Sequence, residues 1–168
     1  MVIKRFPFSQ NPFSFVYNNM NDCQGGFPMD LECDKDRGKK PAVLCLRQET
    51  CENKNFRTAI WTGTHLQITL MSIPIGGEIG LERHDDLDQI LYIESGVARV
   101  YMGKTKESVK CLGTVGSGNA VVIPAQTWHN VINVQNMPVK LFSVYAPPQH
   151  PSCTVHKTKL DSDLAEHD

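Results

Sequence analysis

Residues 80–96 read GLERHDDLDQILYIESG, and they decide how the rest of the chain is understood. Glu82, His84 and Gln89 stand within eight residues of one another. In a β-strand, residues i and i+2 face the same side, so Glu82 and His84 project together while Leu81 and Arg83 face away. The run DDLD (85–88) is a turn that resets the register, with Asp85, Asp86 and Asp88 solvated. Gln89 opens a second strand, QILYIES, with Leu91 and Ile93 on its face. The expectation is a strand–turn–strand unit in which the second strand folds antiparallel onto the first and returns Gln89 beside His84.

Outward from this unit the same pattern repeats. Upstream, HLQITLMSI (65–73) begins with apolar and polar residues in alternation and reads as a strand; IGGEIG (75–80) is a Gly-rich turn. Downstream come VARVYMG, VKCLG, NAVVIP, HNVINV and VKLFSVYA, separated by SG, GKTKES, GSGN, AQT and QNMP. Short strands at intervals of roughly 8–12 residues are the signature of an all-β sandwich or barrel. No amphipathic helical window competes over 60–146. AVLCLR (42–47) is also β-like. Residues 1–40 have no period of 2 or 3.6, and DKDRGKK (34–40) is a solvated turn. Phe6, Phe8, Phe13 and Phe15 suit an arm that packs onto the barrel or onto a second copy. The end, HKTKLDSDLAEHD, is polar and is expected to fray. The organisation expected is a partly irregular N-terminal arm over 1–56 that could hold an edge strand, a barrel over 57–150 and a polar tail over 151–168.

The whole-chain properties exclude several classes. The chain has 168 residues, 40% hydrophobic and 21% charged, as in an ordinary globular protein with one sizeable core. A formal net charge of −1 supplies no global field for nucleic acid or an acidic membrane, so neither is expected as a partner. No apolar run approaches the roughly 18 residues of a spanning helix. Lys4 and Arg5 are not followed by a signal-peptide core, and a cytoplasmic location is expected. No two of the six cysteines form a CxxC pair. They are expected to be free thiols, several buried as small hydrophobes.

A fourth donor comes from GNAVVIPAQTWHNVIN (118–133), which reads as a strand, a Pro-marked turn and a strand opening at His129. A barrel layout can bring His129 against the first group. Glu82, His84, Gln89 and His129 would then offer two imidazoles, a carboxylate and an amide oxygen. Two His and one carboxylate make a common divalent-metal site with room for exogenous ligands. The amide hardens the set, which favours Fe(II), Mn(II), Co(II), Ni(II) or Zn(II) over Cu(I).

These residues also carry a resemblance. Gly76 is followed by five residues, then Glu82-Arg83-His84, four more residues, Gln89, six more and Gly96. Gly118 is followed by five residues, Pro124-Ala125-Gln126, two residues, His129, three residues and Asn133. Both spacings are similar to the two motifs of the cupins, and together they cover roughly residues 75–135. Three positions depart: Glu82 stands where the first motif His is usual, Gln89 where its Glu is usual, and Gln126 where the second motif carries Gly. One carboxylate is kept, at another position. The resemblance implies a cupin double-stranded β-helix, a jelly-roll barrel, with Glu82, His84, Gln89 and His129 as metal ligands. It also implies a homodimer.

The inventory Gln, His, Glu, His is similar to that of zinc phosphomannose isomerases, where Gln and Glu occupy the opposite positions. That resemblance implies a metal-dependent isomerase acting on a small oxygen-rich substrate, a sugar or keto acid, with Glu82 as the catalytic proton carrier. An iron-dependent dioxygenase and a non-catalytic binding or structural cupin are the alternatives. Other residues receive structural roles: Trp128 packs, Asn133 bonds backbone at a strand end, His150 and His156 lie at the surface, and His65 opens a strand and could point inward. The segment 146–156 could also lid the barrel mouth, and Tyr101 or Tyr145 could line a pocket.

Overall fold

The structure, a computed structural model, describes residues 35–165. Phe6, Phe8, Phe13 and Phe15 of the arm, and Cys23 and Cys33, lie outside the described residues. The elements in chain order are α1 (Leu46–Glu52), β1 (Arg57–Thr62), β2 (Gln67–Ile73), β3 (Asp88–Ser95), β4 (Val97–Gly103) and β5 (Lys110–Gly116). They continue with β6 (Ala120–Ile123), β7 (Trp128–Asn133), β8 (Val139–Ala146), β9 (Val155–His156) and α2 (Lys159–Ala165). Six strands form one antiparallel sheet in the order β6-β3-β8-β2-β1-β9, and three form a second in the order β5-β4-β7. This is the expected all-β jelly roll.

The two sheets bury one core, and the alternation of each strand decides which residues enter it. Met71 of β2, Leu141 of β8 and Ile93 of β3 are register neighbours and fully buried. Ala98 and Val100 of β4 and Val131 of β7 face them from the smaller sheet. Each such side chain contributes roughly 1.5–3 kcal/mol by leaving water. Along the same inner face the chemistry changes. Gln67, Tyr145 and Gln89 form a row one strand apart, and Thr69 and Ser143 pair in the next row. All five are buried. One end of the barrel is therefore apolar and the other polar, and the polar end holds the candidate site. Gly96 closes the turn between β3 and β4 at φ +90°, where a Cβ would stand 2.9 Å from the Val139 Cα, so both conformation and space call for glycine.

Several expectations are corrected. AVLCLR is not a strand: residues 41–45 are irregular, Val43 is exposed, and α1 begins at Leu46. LRQETCE is rich in helix formers, and Gln48 bonds Glu52 one turn on. In exchange, β1 is a strand that alternation does not announce, because Arg57, Thr58, Ala59 and Ile60 are all buried and both faces are covered.

LERH is not a strand of a hairpin either. It makes one isolated bridge, Glu82 to His129, and lies beside β7. β3 sits between β6 and β8, so both its edges are taken and residues 81–84 find no place on it. The C-terminal end does not fray throughout. Val155 and Thr58 pair in β9–β1, and α2 follows. Thr158 and Asp161 exchange side-chain and backbone hydrogen bonds of 2.8 and 3.2 Å, a capping box at the start of the helix. Buried Ser162 accepts a 2.5 Å bond from Arg57 Nη1, which ties α2 to β1.

The cysteine expectation also changes. Cys153 is disulfide-bonded, and the free thiols of Cys51 and Cys111 are exposed rather than buried. No described helix is long and apolar enough to cross a membrane.

Candidate metal centre

Glu82 and His129 are placed by backbone. Glu82 N–H donates to the His129 carbonyl at 3.0 Å, and His129 N–H to that of Glu82 at 2.9 Å. Directly opposed residues on neighbouring strands present their side chains to the same side. The His84 carbonyl accepts from Gln126 N–H, which holds the next residue of that parity over the same opening. The result brings Glu82, His84 and His129 together, with all three donor atoms within 4.8 Å of one another.

The ring nitrogens define the chemistry. His129 is fully buried, and its Nδ1 lies 2.9 Å from the Thr127 carbonyl. A carbonyl oxygen can only accept, so Nδ1 donates and a neutral ring presents a lone pair at Nε2. That lone pair lies 3.2 Å from Glu82 Oε1. His84 Nε2 lies 3.5 Å from the same oxygen and has no hydrogen-bond partner, although it is sealed from solvent. Two nitrogens thus converge on one carboxylate oxygen. A single proton bridges one of these contacts, whereas a cation among the three donors satisfies both. Metal bonds of roughly 2.0–2.1 Å at the tetrahedral angle put ligand atoms about 3.3 Å apart, which matches both distances. Burial pushes the Glu82 carboxyl up, but the two imidazoles on its oxygen, and beyond them the Arg57 charge, hold it far below the usual carboxylate range.

Gln89 opens β3 on the inner face, buried. Its Nε2 donates to Ser143 Oγ at 3.0 Å, which fixes the amide orientation. Its Oε1 is buried with no partner. Leaving such an acceptor unmade costs about 1–3 kcal/mol. Gln89 neighbours Tyr145 in register, and the Tyr145 ring meets that of His84 edge-on at 5.9 Å. The donor set of Glu82, His84 and His129, with an orphaned amide oxygen on the same wall, fits a divalent cation.

Comparison with known proteins agrees with this architecture. A family model described as the Cupin domain matches residues 69–145. The uncharacterized protein YrkC of Bacillus subtilis is 53% identical over 132 residues, which cover 79% of this chain and 71% of YrkC. The uncharacterized protein L612 of Acanthamoeba polyphaga mimivirus is 40% identical over 110 residues, 65% of this chain and 67% of L612. The crystal structure of BH2720 from Bacillus halodurans superposes with a TM-score of 0.76 at 49% identity, over 77% of this chain and 98% of that one.

The chain belongs to the cupins.

In this cupin the departures from the usual motifs have visible consequences. Gln126 stands where the second motif carries Gly, and its backbone keeps the left-handed conformation, φ +63°. A side chain there is strained by about 1 kcal/mol or more, and the His84–Gln126 bond holds it in place. Asn133, at the motif Asn position, donates to the carbonyls of Ile73, Pro74 and Met137 and so ties the end of β2 to the loop before β8. Trp128 packs under two cations, Arg83 and Lys106, at 5.5 and 4.6 Å from its ring centre. Asp85, Asp86 and Asp88 are exposed, as is His65.

His150 and His156 depart from the surface role expected of them. His150 Nε2 and His156 Nδ1 are sealed from solvent. Gln67 and Ser143 carry no motif signal, yet they orient His150 and Gln89. The parity of VKLFSVYA was the available clue, because it puts Leu141, Ser143 and Tyr145 on one face.

Proposed function

We propose that this cupin is an enzyme that binds a divalent cation through Glu82, His84, Gln89 and His129 and catalyses proton transfer in a small oxygen-rich substrate. The observation that carries this is the convergence of two imidazole nitrogens on one half-buried carboxylate. The partnerless Gln89 oxygen supports it as the fourth donor. When bound, the metal would polarise a substrate carbonyl or hydroxyl. The protein's own contribution is orientation and proton handling. Thr127 and Ser143 fix His129 and Gln89, so little reorganisation remains when substrate arrives. Glu82, once shifted off the metal and away from the two imidazoles that meet its Oε1, would take a proton from one carbon and return it to the adjacent one.

The grouping of two His and one carboxylate also favours a second reading, an iron-dependent dioxygenase. One experiment separates the two. Protein purified without added metal is assayed for metal content, then for isomerisation of keto acids and ketoses with Zn(II) or Mn(II) under argon, and for O₂ uptake with Fe(II). About one divalent ion per chain and isomerisation without oxygen are expected. O₂ uptake supports the dioxygenase. Metal-free protein whose melting temperature ignores chelator leaves only a binding or structural cupin.

The assembly we propose is a homodimer. Val122, Ile90, Val144 and Ile68 are register partners across β6-β3-β8-β2 and share the outer face. Val122 is 63% exposed, and among the described residues β6 is an edge strand. An apolar row ending at an open edge invites a second copy. Light scattering of the full chain is expected to give a dimer that Val122→Lys converts to monomer. A monomeric wild-type protein refutes it.

A further inference from the structure

The segment that carries His150 is tied to the barrel by side chains. Among the described residues, the backbone from Pro147 to Cys153 makes no hydrogen bond to another backbone group. Two side chains stand in for the missing ladder. Gln67 accepts from Gln149 N–H at 3.2 Å and from His150 N–H at 2.9 Å, and donates to the His150 carbonyl at 2.8 Å. Asp36 Oδ2 accepts from Cys153 N–H at 2.9 Å and from the Thr62 hydroxyl at 2.6 Å. The chain rejoins the sheet at Thr154, whose carbonyl accepts from Ala59 N–H at 2.8 Å. An element with so few backbone bonds opens more readily than the strands beneath it.

This strap lies one ring away from the metal group. His150 meets Tyr145 edge-on at 5.2 Å, and Tyr145, fully buried, meets His84 edge-on at 5.9 Å. Lifting the strap takes His150 off Tyr145 and lets water reach the wall beside His84.

A covalent bond holds the far end of the strap. Cys153 is disulfide-bonded. Cys45, Cys51 and Cys111 are in no disulfide, which leaves Cys23 or Cys33 as its partner. Both precede Asp36 in the chain, and residues 36–40 are stapled to β1. Besides the Asp36–Thr62 bond, Arg37 N–H donates to the Ile60 carbonyl and Trp61 Nε1 to the Lys40 carbonyl, each at 2.9 Å. The disulfide therefore returns the strap to chain that is anchored on β1. Cys153 is exposed, and its backbone is left-handed, φ +65°. A side chain there is strained by about 1 kcal/mol or more and persists only where its neighbours impose the conformation. The disulfide and the Asp36 bond are the two constraints at this residue. Strained or exposed disulfides are the labile, regulatory kind.

We infer that the Cys153 disulfide is a redox latch on the strap 147–153, and that reducing it opens a path to the metal group. A dithiol carries out the step. One of its sulfurs attacks the disulfide, and the second displaces the mixed disulfide that results. Two electrons and two protons pass to the protein sulfurs, which become thiols, and the dithiol leaves as a cyclic disulfide. The latch stands on the strap alone, whereas the path rests on the metal reading proposed above.

The test uses the full chain, oxidised and after treatment with dithiothreitol, and a Cys153→Ser variant. Thiol titration in denaturant is expected to gain two thiols on reduction, and no gain overturns the proposal. On metal-free protein, amide exchange at Gln149 and His150 should be at least about tenfold faster in the reduced form and in the variant, with β2 and β8 unchanged. Exchange that ignores reduction overturns the latch, as does an acceleration shared equally by the strands. Metal-loaded oxidised wild type and Cys153→Ser are then compared without reductant. A chelator should strip the variant at least about tenfold faster, and equal rates overturn the path. Protein that takes up no metal overturns the path together with the metal reading, while exchange still decides the latch. If the variant does not fold, the reduced wild type, desalted before chelator is added, gives the same comparison.

Discussion

His129→Ala is expected to reduce bound divalent metal from about one ion per chain to below a tenth. Its side chain is fully buried and its Nδ1 is committed to Thr127, so Nε2 has one direction in which to act, towards Glu82 Oε1. Removing it opens a cavity and takes away a donor that no neighbour can replace. Glu82 would then keep only the 3.5 Å contact with His84 among the imidazoles. Ligand linkage makes the result visible in stability as well. A metal present at a thousand times its dissociation constant adds about 4 kcal/mol. The wild-type protein should therefore melt at a lower temperature in chelator, while the variant should not respond. Elemental analysis and paired thermal scans check this. Stoichiometric metal in the variant would remove His129 from the ligand set.

Gln67→Leu should destabilise the protein by about 3 kcal/mol although it touches no metal donor. The two side chains are similar in size, and an apolar residue at a fully buried position would ordinarily be tolerated. Here the amide is the partner of backbone groups in the 147–156 segment. It accepts from Gln149 N–H at 3.2 Å and His150 N–H at 2.9 Å, and donates to the His150 carbonyl at 2.8 Å. Leucine leaves these part-buried groups without partners, at up to about 1–3 kcal/mol each, less whatever water recovers. Urea unfolding measures the global cost. Amide exchange at Gln149 and His150 distinguishes a local opening, which should accelerate these two before the strands. A change below about 0.5 kcal/mol with unchanged exchange would mean that the clamp does not hold the segment.

The barrel was legible because its strands are short, regularly spaced and mostly alternating. The run VKLFSVYA marks β8 from end to end, with Val139, Leu141, Ser143 and Tyr145 buried. The spacing from Gly76 to Gly96 and from Gly118 to Asn133 likewise put the metal candidates on strand ends and turns. β1 was hidden because both its faces are covered, which erases the period of two. The helix α2 was written in TKLD, the capping box at Thr158 and Asp161, and was masked by the polarity of its surroundings. The mistaken hairpin at 80–96 had a topological cause, since local sequence reports a turn but not which edges of the following strand are already taken.

By itself the chain determined the period of its strands, the identity of its four candidate donors and the membership of Glu82 and His84 on one face. Those are properties of neighbours in sequence, set by backbone geometry and side-chain chemistry. Only the tertiary structure decided that Glu82 pairs with His129, 47 positions away, and that Gln89 is steered by Ser143. It alone placed His150 beside Tyr145, and His156 beside His150. The reason is physical: which donors meet depends on sheet order and on burial, and both are settled by the closure of the whole barrel rather than by any stretch of it.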